Sequence, residues 1–127
     1  MKALIVDDNQ LVCWGLGKTL SKRGILHHAV ENGTDAMSEI RRTFYDLVFL
    51  DIRLPDANGL DMLPEILRIS PETKVVVISS DGSASNVQRA IAGGALRFLE
   101  KPYGNDELLE VLETVTRRRS EERPASK

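Results

Sequence analysis

Short apolar runs recur along the chain, and each one stops at polar residues. Ala3-Leu4-Ile5-Val6 stops at Asp7-Asp8, Leu47-Val48-Phe49-Leu50 at Asp51, and the run from Lys74 to Ile78 at Ser79-Ser80. Two further runs fit the pattern: Ile25 to Val30 leads into Glu31, and Leu96 to Leu99 leads, one residue on, to Lys101-Pro102. Runs of this length read as strands covered on both faces. The segments between them have helical spacing. Leu11, Val12, Leu16 and Leu20 fall at helical spacing, and Gly24 ends that helix. Asn32-Gly33-Thr34 turns into a helix over 35–42. After the loop Pro55-Asp56-Ala57-Asn58-Gly59, a cap at Asp61 would place Pro64 in a first turn, where its missing N–H costs nothing. A weakly apolar helix passes through Val87, Ala90 and Ile91 and ends at Gly93-Gly94. The last helix is predicted to be capped by Asn105. Its stripe is Leu108, Leu109, Val111, Leu112 and Val115, and Arg117, Arg118 and Arg119 suit its C-terminal dipole.

Five strands alternating with five helices predict an α/β fold, a flavodoxin-like (βα)5 three-layer sandwich. Its five-stranded parallel sheet is expected in the order 2-1-3-4-5, with a site beyond the carboxyl ends of strands 1 and 3. The 127 residues suit one domain, expected over 1–119, with 120–127 a polar, disordered tail or the start of a linker.

Composition narrows the function classes. The 17 Lys+Arg against 19 Asp+Glu leave a net charge of −2, so no global basic field points to nucleic acid. Cys13 stands alone and builds neither a disulfide nor a zinc site. No stretch is long enough to span a membrane, and the N-terminus lacks the shape of a signal peptide. A cytoplasmic location is the resulting expectation.

If the five runs share one sheet, Asp7, Asp8, Asp51, Ser79 and Lys101 meet at one rim. Like carboxylates at ~4 Å and an effective dielectric of ~20 repel by ~4 kcal/mol per pair. A retained proton or a cation relieves this, and a hard divalent ion such as Mg²⁺ is the simpler answer. The set suits phosphoryl transfer. An aspartate can be the oxygen nucleophile, while Ser79 and Lys101 can each meet a phosphoryl oxygen.

These residues carry a family resemblance. Leu4-Ile5-Val6-Asp7-Asp8, Leu47 through Pro55, Asn58-Gly59, Val77-Ile78-Ser79-Ser80 and Phe98-Leu99-Glu100-Lys101-Pro102, in order and at matching spacing, resemble the receiver domain of two-component response regulators over residues 2–118. The resemblance implies that Asp51 accepts a phosphoryl group from a phosphohistidine on a sensor histidine kinase or a histidine phosphotransfer protein. It implies Mg²⁺ held by Asp8, Asp51 and the Arg53 backbone carbonyl, with Asp7 acting mainly through a bound water. Ser79 and Lys101 would contact the phosphoryl oxygens, and the Lys101-Pro102 bond would be cis. Ser79 and Phe98 would form the switch that remodels the face of helix 4, strand 5 and helix 5 toward an effector or output domain. A phosphorylation-dependent homodimer is compatible with such a switch. Ser79 stands where threonine is frequent, and Phe98 where tyrosine is frequent.

Rival readings meet specific obstacles. A phosphatase of the haloacid-dehalogenase type needs a second Asp two residues after the nucleophile, and Arg53 occupies that position. A flavodoxin-like cofactor binder needs a phosphate loop where Asp7-Asp8-Asn9-Gln10 would repel phosphate. A non-phosphorylated pseudo-receiver scaffold does not call for the complete acidic set. Arg53 and Asp81, each two positions past a site residue, are candidates for an ion pair over the site. Trp14 reads either as partly buried against a loop, the weightier reading, or as exposed for kinase docking. His27 and His28 point to opposite faces of a strand and read as packing rather than metal ligands. Cys13 reads as packing rather than as a redox centre.

Overall fold

The structure is a computed structural model, which describes residues 1–122, with side chains as far as Arg117. Strands and helices alternate throughout: β1 (Lys2–Val6), α1 (Gln10–Lys22), β2 (Leu26–Val30), α2 (Gly33–Arg42), β3 (Leu47–Asp51), α3 (Gly59–Ile69), β4 (Lys74–Ser79), α4 (Ala84–Ala92), β5 (Arg97–Glu100) and α5 (Asn105–Glu122). Every strand pair is parallel, and the order is β2-β1-β3-β4-β5. This is the flavodoxin-like topology that the alternation predicts.

Successive side chains of a strand point to opposite faces, and here each face feeds its own core. Leu4, Val6, Val48, Leu50, Val75 and Val77 pack on one side with residues of α2, α3 and α4. Ala3, Ile5, Leu47, Phe49, Val76 and Ile78 pack on the other with residues of α1 and α5. All five residues of β3 are buried, which accounts for its unbroken apolar run. The edge strand β2 differs, with Leu26 to Ala29 exposed and Val30 buried. His27 and His28 are therefore surface residues rather than core groups. The His27 ring covers Gly17, and its Nε2 lies 3.0 Å from Ser21 Oγ.

Side-chain caps set most helix starts. Asn9, Asn32, Asn58 and Ser83 each accept from amides in the first turn of α1, α2, α3 and α4. Two expectations are corrected here. First, α3 begins at Gly59 under an Asn58 cap, not under Asp61, so Pro64 lies inside the helix. Asn58 Oδ1 accepts from the Leu60 N–H at 2.8 Å, and the Gly59 N–H donates to the Ile52 carbonyl at 2.7 Å. These bonds hold the early start although Pro64 cannot donate to the Leu60 carbonyl. Second, Gly104 rather than Asn105 takes the cap position of α5. Its carbonyl accepts from the Leu108 N–H at 3.2 Å, and its N–H donates to Glu107 Oε1 at 3.1 Å.

Helix α5 continues through Glu122, so residues 120–122 are helical where a polar tail is expected from 120. Residues 123–127, and the side chains of Arg118 and Arg119, lie outside the described ones. No helix among the described residues is long and apolar enough to cross a membrane.

Candidate functional site

Strand register brings the polar residues together. Val6 lies opposite Leu50, so Asp7 and Asp51 follow at the same level on adjacent strands. Asp51 lies opposite Ile78, which puts Ser79 one residue further along the next strand. Asp7, Asp51 and Ser79 are buried, and Asp8 is exposed. One carboxylate oxygen from each of Asp7, Asp8 and Asp51 lies within 4.8 Å of the others. The Lys101 N–H donates to the Ser79 carbonyl at 2.8 Å, which fixes the start of the β5–α5 loop beside β4. From there Lys101 Nζ reaches Asp7 Oδ2 at 2.8 Å and Asp51 Oδ2 at 3.5 Å. The Lys101-Pro102 peptide is cis, as expected.

Burial pushes the Asp51 carboxyl above the usual carboxylate range and Asp7 adds to this, while Lys101 and the Arg53 N–H pull the other way. For Lys101, burial disfavours the ammonium. Hydrogen bonding to Asp7 and the charges of Asp51 and Asp7 outweigh that, and its pKa is raised. One ammonium among three carboxylates leaves excess negative charge on hard oxygen donors. That donor set fits Mg²⁺, which takes one or two carboxylates and keeps several waters.

Around this centre, the Asp81 N–H donates to Ser79 Oγ at 3.0 Å, leaving the hydroxyl proton able to donate elsewhere. The anticipated Arg53–Asp81 ion pair forms, at 3.6 Å between exposed groups. Phe98 is half-buried against the core on the α2–α4 side. Glu31, also just past a strand end, is exposed and outside the carboxylate cluster.

Trp14 corrects the weightier reading of its sequence position, since it is 64% exposed, with Lys18 Nζ 4.7 Å from its ring centroid. It lies on a side of α1 that faces solvent rather than the core. Cys13 is half-buried, its Sγ 3.3 Å from the Asp7 carbonyl. Burial first, then the charges of Asp7 and Glu31, push its thiol up to about 11, which suits an inert packing residue. Sequence reasoning missed two contributors. Asn9 donates its N–H to Asp7 Oδ1 at 2.9 Å while capping α1, a role its cap preference could have signalled. Asp56 reads only as a turn residue, yet it bonds to the start of α2.

Comparison with known proteins places this geometry. The family model described as "Response regulator receiver domain" matches residues 3–113. The chain is 32% identical to the chemotaxis protein CheY of Thermotoga maritima over 117 residues, covering 91% of this chain and 98% of that protein. It is 36% identical over 121 residues to the response regulator protein PilR of Pseudomonas aeruginosa, covering 95% of this chain and 27% of PilR. A crystal structure of a two-component response regulator from Clostridium difficile matches with a TM-score of 0.88 at 26% identity, covering 93% of this chain and 97% of that one.

Proposed function

The chain belongs to the response regulator receiver domain family, and on that premise we propose that it is the phosphoacceptor of a two-component system, with Asp51 the residue that is phosphorylated. One observation carries this reading. Asp51 sits at the carboxyl end of β3, with its carboxylate clustered with those of Asp7 and Asp8 and facing Lys101 Nζ at 3.5 Å. In the proposed reaction an Asp51 oxygen bonds to phosphorus as the P–N bond of a donor phosphohistidine breaks. The electron pair of that bond leaves with the imidazole nitrogen. Lys101 pairs with one phosphoryl oxygen, and the Ser79 hydroxyl donates to another.

Asp8, Asp51 and the Arg53 carbonyl would hold Mg²⁺, with Asp7 acting through water. Bound there, the ion neutralises charge on the phosphoryl oxygens. Apart from the donor and the metal ion, the chain supplies the groups for its own phosphorylation and dephosphorylation, which sets it apart from an enzyme turning over a diffusible substrate. The histidine kinase or phosphotransfer protein would dock along α1. There Leu11 is 78% exposed and Trp14 nearly as open, beside a groove of about 590 Å³ lined by Leu16, Tyr103 and Leu108 among others. Such donors place the reaction in the cytoplasm.

The output is a two-state bias. A phosphoryl group on Asp51 would draw the Ser79 hydroxyl toward it, and Phe98 would turn further inward. Helix α4 buries little beyond Ala90, which suits an element that moves. The face of α4, β5 and α5 would then bind an effector, an output domain or a second copy.

Incubation with acetyl phosphate and MgCl₂ followed by intact-mass measurement tests the reading. One phosphoryl mass is expected, and it should be absent when EDTA replaces magnesium. No gain with magnesium present would refute it. The Arg53–Asp81 pair gives a finer prediction. Arg53→Ala should open the site to water and speed dephosphorylation several-fold. Stability should change by no more than ~1 kcal/mol, as for exposed pairs generally. An unchanged dephosphorylation rate would end that idea.

A further inference from the structure

Asp56 lies at the tip of the β3–α3 loop, three residues past Arg53, and it is exposed. Its carboxylate nevertheless holds three donors from a distant segment. Oδ1 accepts from the Gly33 N–H at 2.7 Å, and Oδ2 accepts from the Thr34 N–H at 3.0 Å and the Thr34 hydroxyl at 2.8 Å. Gly33 and Thr34 are the first two residues of α2, whose own cap, Asn32, serves the Asp35 N–H. Two amides that a helix start leaves without an intrahelical partner are thus satisfied by another loop. A negative charge there also suits the helix dipole. Hydrogen bonds from the Gly33 N–H, the Thr34 hydroxyl and the Thr34 N–H hold the Asp56 carboxyl below the usual carboxylate range.

The fit at this contact is close. A Cβ on Gly33 would lie 3.0 Å from Ala57 Cβ, 3.1 Å from Met62 Sδ and 3.2 Å from Asp56 Oδ1. A bare Gly33 therefore lets the loop tip settle onto the helix. At its base the loop closes on itself. Arg53 pairs with Asn58, the Leu54 N–H donates to the Ala57 carbonyl at 3.1 Å, and the Gly59 N–H donates to the Ile52 carbonyl. A tip held this way cannot shift without carrying Arg53, whose N–H lies 3.4 Å from Asp51 Oδ1.

We propose that Asp56 is a positioning residue for the phosphorylation site: clamped to the start of α2, it fixes the loop that presents the Arg53 carbonyl and so sets the site's affinity for magnesium. The inference rests on reading Asp51 and its neighbours as a metal-assisted phosphoacceptor site. It makes α2 a support of that site, although α2 places no residue in it.

The test uses ¹⁵N-labelled wild type, Asp56→Ala, Asp56→Asn and Gly33→Ala. MgCl₂ titrations followed by amide shifts near Asp7, Asp8 and Asp51 give the affinity. Hydrogen exchange at residues 33 and 34, without metal, reports the clamp. Asp56→Ala should bind magnesium about tenfold more weakly, at the low end of what losing an outer support costs a metal site. Exchange at Gly33 and Thr34 should quicken about tenfold, with the far-UV circular dichroism unchanged. Asp56→Asn keeps an acceptor oxygen and should recover part of both effects. Gly33→Ala pushes the loop away from the helix side with Asp56 intact and should weaken magnesium similarly.

Faster exchange with unchanged magnesium affinity would overturn the proposal by reducing the contact to a structural one. Unchanged exchange in Asp56→Ala would also overturn it. A wild type that binds no magnesium would remove the underlying reading and the proposal with it. That outcome is distinguishable, because the exchange comparison needs no metal.

Discussion

Asp51→Asn is expected to stay at its unmodified mass after incubation with acetyl phosphate and magnesium, and to be more stable than the wild type. The amide keeps the shape of the side chain but offers no anionic oxygen to form the O–P bond, so the loss of phosphorylation is complete rather than graded. The gain in stability comes from charge. Asp7 and Asp8 each present a carboxylate oxygen within 4.8 Å of one from Asp51. At an effective dielectric of ~20, each repulsion amounts to about 3 kcal/mol. Lys101, 3.5 Å away, returns about 5 kcal/mol by the same arithmetic. Burial adds to the cost of the charge, and a net gain on the order of 1 kcal/mol follows, or roughly 3–5 °C in Tm.

The sign with pH is fixed by the direction of the shift. Burial first, then Asp7, raise the folded-state pKa of Asp51, so the folded protein holds that proton more tightly than the unfolded chain. The wild type therefore loses stability from this group as pH rises through the carboxylate range. The advantage of Asp51→Asn should be present at neutral pH and vanish below that range, in metal-free buffer. Thermal melts across that range measure it. A variant no more stable than the wild type at neutral pH would mean that Lys101 already neutralises the cluster.

Gly59→Ala is expected to be the most damaging single-methyl change in the chain. A Cβ there would lie 2.2 Å from the Asp51 carbonyl oxygen and 3.1 Å from the Ile52 Cα. Both are backbone atoms and cannot rotate away, so either α3 or the carboxyl end of β3 must move. A stability loss of about 3 kcal/mol follows, a midpoint roughly 2 M lower in urea. Gly15→Ala provides the contrast. Nothing lies within 4 Å of a Cβ at that position in α1, and replacing a helix-interior glycine should stabilise by up to ~1 kcal/mol. Equal effects at the two positions would show that β3 and α3 yield to each other without cost.

The rim was legible in the sequence because its logic is local. A strand buried on both faces reads as a continuous apolar run, and the first polar residue after the run marks its end. Asp7, Asp51 and Ser79 follow from that rule, once parallel pairing aligns the ends, and Lys101 lies two residues past Leu99. Features that depend on distant partners were not legible. The early start of α3 is held by Asn58 and by the contact of Gly59 with the end of β3, so local sequence could not weigh Pro64 correctly. Asp56 has turn chemistry of its own, and its partners lie more than twenty residues upstream. Gly104 has no side chain to advertise a cap, and its role shows only when Glu107 folds back onto its N–H. The expected strand order already put β2 at an edge, whereas the exposure of Trp14 depends on which side α1 turns outward, and helical spacing does not encode that.

The partition of the sheet into two cores bears on how the molecule can vary. Strands β1, β3 and β4 act as a dividing wall one chain thick, with α2, α3 and α4 on one side and α1 and α5 on the other. A void opened beneath α5 cannot be filled from beneath α3, so damage on the two sides sums instead of compensating. The side proposed to meet the phosphate donor and the side resting on α2 and α3 can therefore drift apart in sequence, each answerable only to its own face of the wall.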